Sequence, residues 1–191
     1  MAGRKQFDIE GALDAAMTQF WRAGYADSSV DDLCRATGLN RSSLYATFGD
    51  KDSLFRRCLE RYVERYGESY DAALSSAGGP VEAVRAFFEV TLGRIADPAL
   101  PDGCLMTQSA LAVPGLSPEA ARRVREAVDA QRNRLFTALK ANGLPGAVAE
   151  PFALHIAAVN QSLAVMSRAG VGARQLRAVI EVTLDALGGR T

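Results

Sequence analysis

Ile9, Leu13, Ala16, Met17 and Phe20 fall at i, i+4, i+7, i+8 and i+11, the spacing of a single helical face. β-branched alternation of the strand type is absent along the chain, and Gly or Pro recur at intervals that would separate helices. The spacing predicts a first helix from about Phe7 to Ala23, with Asp8 near its start and Gly24 as its stop.

The pattern then shortens. Ser29 is the expected N-cap of a second helix, with Asp32 three residues on as a shorter, poorer substitute for a capping-box Glu; Leu33 and Cys34 point inward and Gly38 permits a left-handed turn. Asn40 is placed to cap a third helix, Arg41 to about Thr47, that ends at Gly49. Two short helices joined by a tight Gly-containing turn form a helix-turn-helix unit.

Asp50 caps a longer stretch, Lys51 to about Ser75, in which Leu54, Phe55, Cys58, Leu59, Tyr62, Val63 and Tyr66 keep helical spacing. The run from Ser75 to Pro80 interrupts it and is the one candidate hinge. Further helices are expected from Pro80 to about Ala96, Cys104 to about Val113, Pro118 to about Ala141 behind a Ser117 cap, about Val148 to Arg168, and Ala173 to Leu187. The expected fold class is therefore all-α with about nine helices, divided into residues 1–50, carrying the helix-turn-helix, and residues 51–191, with helix 51–75 connecting the two. The last two helices are apolar on more than one face, which calls for burial on more than one side, a partner subunit being a common second side.

Composition narrows the reading. At 48% hydrophobic, 23% charged and 7% aromatic, the 191 residues have the make-up of a globular protein, and a chain of this length buries about 70% of its unfolded surface without a disulfide or metal staple. Three cysteines without a CxxC or Cys/His spacing read as reduced thiols in a cytoplasmic protein. The N-terminus lacks an apolar signal core and no apolar run approaches a membrane span, so a soluble, unexported protein without membrane contact is expected. Neither HExxH, nor a Gly-rich phosphate loop, nor a nucleophile elbow occurs, and no enzyme, cofactor or metal site is expected.

Charge does not point to nucleic acid by itself. Lys and Arg number 22 against 22 Asp and Glu, and the first 50 residues are slightly acidic, 5 against 7. Any phosphate has to be met locally, and 19 of the 22 cations are Arg, the better side chain for bidentate contact.

Gly24-Tyr25, Ser28-Ser29-Val30, Ala36-Thr37-Gly38-Leu39, Ser42-Ser43-Leu44-Tyr45 and Phe48-Gly49-Asp50-Lys51-Asp52-Ser53-Leu54-Phe55 together resemble the N-terminal region of the TetR family of bacterial transcriptional regulators, over about residues 7 to 60. Gly103-Cys104-Leu105-Met106 is similar to a Gly-Cys-Leu-Leu segment of some members. The resemblance implies a homodimeric repressor whose N-terminal domains enter successive major grooves of a palindromic operator in double-stranded DNA. It also implies release by a small-molecule effector bound in the C-terminal domain. Recognition helices of such a dimer must sit one DNA turn apart, about 34 Å, so ligand control of their spacing is an economical switch.

On the third helix, Arg41, Ser42, Ser43, Ala46 and Thr47 are the candidates to face DNA, with Arg41 able to fork onto a guanine, and Leu44 and Phe48 face the core. Tyr45 matches the family's phosphate-contacting Tyr. Ala46 departs from the larger polar residue common there. Lys51, with Ser28 or Ser29, matches phosphate clamps at helix N-termini, and Arg4 and Lys5 would reach the backbone or minor groove from an arm. For this to work in a neutral domain, Asp8, Glu10, Asp14, Asp31 and Asp32 must point away from the DNA-facing cations.

For the effector, the residues to search are Phe87, Phe88, Thr91, Cys104, Met106, Phe136, Phe152, His155 and Asn160, since such pockets are apolar with a few convergent polar groups; most also suit a plain core. Cys104, after Gly103 at a helix start, is either a small apolar filler or a thiol whose anion the helix amides favour. A second reading, resting on Ala46 and the sparse basicity, is an all-helical small-molecule-binding or thiol-sensing protein without specific DNA binding. A third is an interaction adaptor that uses the apolar terminal helices.

Overall fold

The computed structural model describes residues 8–75 and 78–189. Among these, the chain forms nine α-helices and a short 3-10 turn, with no strand: α1 (Ile9–Ala23), α2 (Val30–Thr37), α3 (Arg41–Phe48), α4 (Lys51–Ser75), α5 (Pro80–Ala96), α6 (Leu105–Ala112), α7 (Pro118–Ala141), α8 (Gly146–Arg168) and α9 (Ala173–Gly188). The 3-10 turn, Val113–Gly115, follows α6, so that helix stops one residue earlier than its apolar pattern suggests. Pro114 explains the change, because it has no amide to continue the α-helical ladder. At the other junction α8 opens two residues early, on Gly146.

Helix starts follow local chemistry. Asp8 caps α1 by accepting the Glu10 amide at 3.1 Å, and Ser117 caps α7. Asp50 accepts the Ser53 amide at 2.7 Å at the head of α4. The pair Ser29 and Asp32 does more than expected: Ser29 Oγ accepts the Asp32 amide at 3.1 Å and Asp32 Oδ2 accepts the Ser29 amide at 3.0 Å, a complete capping box. Asp is long enough here because Ser29 Oγ also donates to the same carboxylate at 2.5 Å, drawing it back over the helix start.

Two apolar cores share α4. The first gathers Met17, Phe20, Trp21, Leu33, Leu44, Phe48, Leu54 and Phe55, and takes in Leu105, Ala120 and Val124 from α6 and α7. The second is built by α5, α7, α8 and α9 around Phe87, Phe88, Leu135, Ile156 and Leu184, with Tyr70 and Leu74 from the far end of α4. At 25 residues, α4 is about 37 Å long, enough to run through both. Polar clamps reinforce the union of α1 and α4: Arg61 donates Nε to Asp14 Oδ1 at 2.5 Å and also binds Glu10, and Arg65 reaches Asp14 at 2.6 Å. Their combined pull holds the Asp14 carboxyl below its ordinary value against the raising effect of burial.

Candidate nucleic-acid interface and interior cavity

Leu44 and Phe48 turn into the first core, which fixes the rotation of α3 and leaves Arg41, Ser42, Tyr45 and Ala46 as its exposed stripe. Asn40 caps the helix by accepting the Ser43 amide at 2.8 Å, and Gly38, at φ 70, makes the left-handed turn from α2 that a side chain would strain. Ser43 and Thr47 are half-buried flanks, the Thr47 hydroxyl donating to the Ser43 carbonyl at 2.8 Å. Arg57 supports the far end of α3: its guanidinium lies 4.9 Å over the Phe48 ring and donates to the Thr47 carbonyl at 3.3 Å. Nothing in residue spacing singled out Arg57.

The flanking groups sort differently from the sequence expectation. Ser29 is exposed at the N-terminus of α2, whereas Ser28 is fully buried with its hydroxyl donating to the Gly24 carbonyl at 2.7 Å. Ser28 is thereby corrected from a surface clamp to a loop lock. Lys51 holds its ammonium 4.4 Å over the Tyr25 ring at the start of α4, and partial burial lowers its pKa. Arg4 and Lys5 lie outside the described residues. Of the acidic groups, Glu10 and Asp14 are occupied by Arg61, and Asp32 by the cap and Arg35. Asp31 does not point away: its Oδ1 accepts Arg41 Nε at 3.0 Å. Both partners are solvent-exposed, so this pair is weak and readily exchanged for another anion.

Behind this head, aromatic rings lead inward. Trp21 of α1 packs edge-on against Tyr62 (5.1 Å) and Tyr66 (6.0 Å) of α4, and Gln108 of α6 donates to the Trp21 carbonyl at 2.6 Å. The guanidinium of Arg94, on α5, lies 5.7 Å over the Trp21 ring and 5.8 Å over Tyr66. Arg94 is 7% exposed, donates Nη1 to Tyr62 Oη (3.0 Å) and to the Gly103 carbonyl (2.9 Å), and leaves Nε without a partner. Among the described residues no carboxylate pairs with it. Tyr62 Oη in turn sits 3.2 Å from Cys104 Sγ.

Tyr62 and Tyr66 also bound a cavity of about 60 Å³, partly open to solvent, between α4, α6, α7 and α8. Tyr62, Tyr66 and Tyr70 line it at four-residue steps, with Cys104, Met106, Gln131, Asn160 and Gln161 supplying the other walls. Asn160 is pinned by Thr91, which donates to its Oδ1 at 2.5 Å and is itself bonded to Tyr70 Oη at 2.9 Å. That arrangement leaves the Asn160 Nδ2 amide as the donor for a guest.

Of the effector residues expected from sequence, Cys104, Met106 and Asn160 line this cavity, and Thr91 stands one layer behind it. The others do not reach it. Phe87 and Phe88 are fully buried in the second core, and Phe136 and Phe152 pack against that core. His155 is exposed on α8, with Nε2 3.4 Å from Thr183 Oγ1, because its neighbours Ile156 and Ala153 take the inward positions. Tyr62 and Tyr66 are legible in the sequence as helical spacing on α4, whereas Tyr70 is not among the residues that spacing singled out. Arg94 was legible too: it continues the inward register of Val84, Phe87 and Thr91, where a charge needs a reason.

Among the described residues no helix is long and apolar enough to cross a membrane. The family model described as "Bacterial regulatory proteins, tetR family" matches residues 12–58. The chain is 39% identical over 103 residues to the HTH-type transcriptional repressor ComR of Escherichia coli (strain K12), a match covering 53% of this chain and 49% of ComR. It is 32% identical over 122 residues to the uncharacterised HTH-type transcriptional regulator YezE of Bacillus subtilis (strain 168), covering 64% and 63%. The chain thus spans about half to two thirds of the length of these curated relatives. Among solved structures it superposes with TM-score 0.80 and 31% identity on a cysteine mutant of the TetR family transcriptional regulator CifR complexed with 26-bp double-strand operator DNA, covering 95% of this chain and 98% of that one. A TetR transcriptional regulator from Chloroflexus aurantiacus, 22% identical with TM-score 0.81, has the same fold. From the head that the family model matches to the terminal helices that superpose with CifR, the chain belongs to the TetR family of bacterial regulatory proteins.

Proposed function

We propose that the protein is a homodimeric transcriptional repressor that binds a palindromic operator and is released from it by a small molecule in the cavity between α4, α6, α7 and α8. The observation that carries this reading is the exposed stripe of α3, Arg41, Ser42, Tyr45 and Ala46, held rigidly by Asn40, Leu44 and Phe48 and flanked by the N-termini of α2 and α4. A short helix with polar, exposed N-terminal residues and a buried opposite face is what entry into a major groove requires. CifR, which superposes along nearly the whole chain, was solved on operator DNA.

In this reading residues 1–50 form the DNA-binding unit and residues 51–191 the effector-binding and dimerising unit. Arg41 reads a base edge after exchanging Asp31 for DNA, and Tyr45, Ser29 and Lys51 contact phosphates, with Ser42, Ser43, Ala46, Thr47 and the arm residues Arg4 and Lys5 alongside. The two copies join through α8 and α9, whose outer surfaces carry Leu154 (59% exposed), Val182 (71%) and Val165 (50%) near the exposed His155. Gel shift of a duplex from upstream of the protein's own gene tests the reading. A discrete complex competed only by the same sequence supports it, and binding no tighter than to unrelated DNA contradicts it.

A further inference from the structure

An arginine buried to this degree is costly unless an anion answers it, yet no carboxylate among the described residues pairs with Arg94, which lies against the Trp21 and Tyr66 rings and donates hydrogen bonds to the Tyr62 hydroxyl and the Gly103 carbonyl. Both lead to the same atom. Gly103 precedes Cys104, and Tyr62, accepting a hydrogen bond from the guanidinium through its oxygen, has its own proton free to donate to Cys104 Sγ 3.2 Å away. Cys104 is also the N-cap of α6, an eight-residue helix whose unpaired amides favour a negative charge there. It lines both the interior cavity and a groove between α6 and α8 that holds Gly24 and Arg168.

We propose that Cys104 is a nucleophile activated by Arg94 through Tyr62, and that the effector is a small α,β-unsaturated carbonyl compound captured covalently in the cavity. This rests on the repressor reading for its consequence, though not for its chemistry. The thiol proton leaves to solvent. Sγ then bonds to the β-carbon, the C=C π pair becomes the double bond between the α-carbon and the carbonyl carbon while the C=O π pair moves onto oxygen, and the resulting enolate takes a proton from water at the α-carbon, so there is no net oxidation or reduction. The tyrosine walls suit a flat, apolar guest, and the Asn160 Nδ2 amide offers a donor to its carbonyl. The adduct then occupies the space against Tyr62 and Tyr66, whose other edges touch Trp21 of α1.

The charge of Arg94 and the bond from Tyr62 bring the Cys104 thiol below its ordinary value although burial pushes it up. Cys58 is driven the other way, because its burial outweighs the pull of the nearby Arg57 and Arg61.

Alkylation by 2-cyclohexen-1-one, followed by peptide mapping across a pH series, tests the chemistry. Cys104 is expected to react faster than Cys34 and Cys58, with a midpoint below that of an ordinary thiol. Arg94→Gln should move the midpoint upward and slow the reaction at neutral pH relative to the wild-type protein. Tyr62→Phe, which keeps the ring and its packing, should do so in part, and covers the case in which Arg94→Gln does not fold. Reaction no faster than at Cys34, or an unmoved midpoint in the folded variants, would overturn the proposal. A release assay on a selected duplex adds the regulatory arm. Cyclohexenone but not cyclohexanone should free the wild-type protein, and Cys104→Ser should stay bound. Alkylation without release overturns the regulatory claim. Absence of DNA binding before treatment contradicts the repressor reading instead, with the pH profile still deciding the thiol chemistry.

Discussion

Arg41 and Tyr45 share one exposed stripe yet carry different kinds of contact in the proposed complex. Arg41→Ala removes a fork that distinguishes one base pair by about 1–3 kcal/mol, so competition among duplexes differing at that position should show relaxed preference. Tyr45→Ala removes a phosphate contact and should weaken all sequences about equally; equal, sequence-independent losses from both variants would contradict the division of roles. At this scale the sequence was informative where one residue acts through its nearest backbone. Ser29, Asn40 and Asp50 could be read as caps because a cap needs only a partner two or three residues away. Ser28 and His155 could not be placed, since which of two adjacent positions faces inward depends on the rotation of the whole helix. The Arg41–Asp31 contact escaped for a related reason: it spans the turn between α2 and α3, and its geometry exists only once that turn has closed.

Helix boundaries followed from apolar spacing, caps and Gly or Pro stops to within a residue or two at every element, because those signals are local. What joins the elements is less legible. The Asp14 clamp from α1 to Arg61 and Arg65 of α4 brings together residues 47 and 51 apart in the chain. Its pH behaviour follows from the sign of the shift. The Asp14 carboxyl is held below its unfolded value of about 3.9, so the clamp contributes fully above that pH and is lost as pH falls through the lower folded value. Being a partly exposed network, it should contribute about 1 kcal/mol. Asp14→Asn should therefore lower stability by about that amount at neutral pH and flatten the acid limb of a denaturation-against-pH series. A variant as stable as wild type at pH 7 would show the clamp to be inert. Within the cavity the same distinction holds: Tyr62 and Tyr66 are visible as helical spacing, but that they face a void depends on how α6 and α7 approach α4.

At the scale of the whole molecule, the zero net charge of the sequence means that DNA must be gripped by position rather than by bulk field. The plot of log affinity against log salt should be shallow, and a slope matching ten or more phosphate contacts would show that the cations are misassigned. The proposed dimer rests on the outer face of α8 and α9, where Val182→Glu together with Leu154→Arg would bury charges in an apolar contact. Sedimentation of that variant at micromolar concentration should give a monomer, with operator affinity lost in parallel; a monomeric wild-type protein would contradict both the dimer and the mechanism built on it. The sequence pointed to this surface because α8 and α9 are more apolar than one core can absorb. The measurement that reaches the central claim most directly is selection of binding sites by the wild-type protein from random double-stranded DNA. The account predicts enrichment of a palindrome whose half-site centres lie one helical turn apart, about 10 base pairs, whereas recovery of unrelated sequences, or of single half-sites alone, would contradict it.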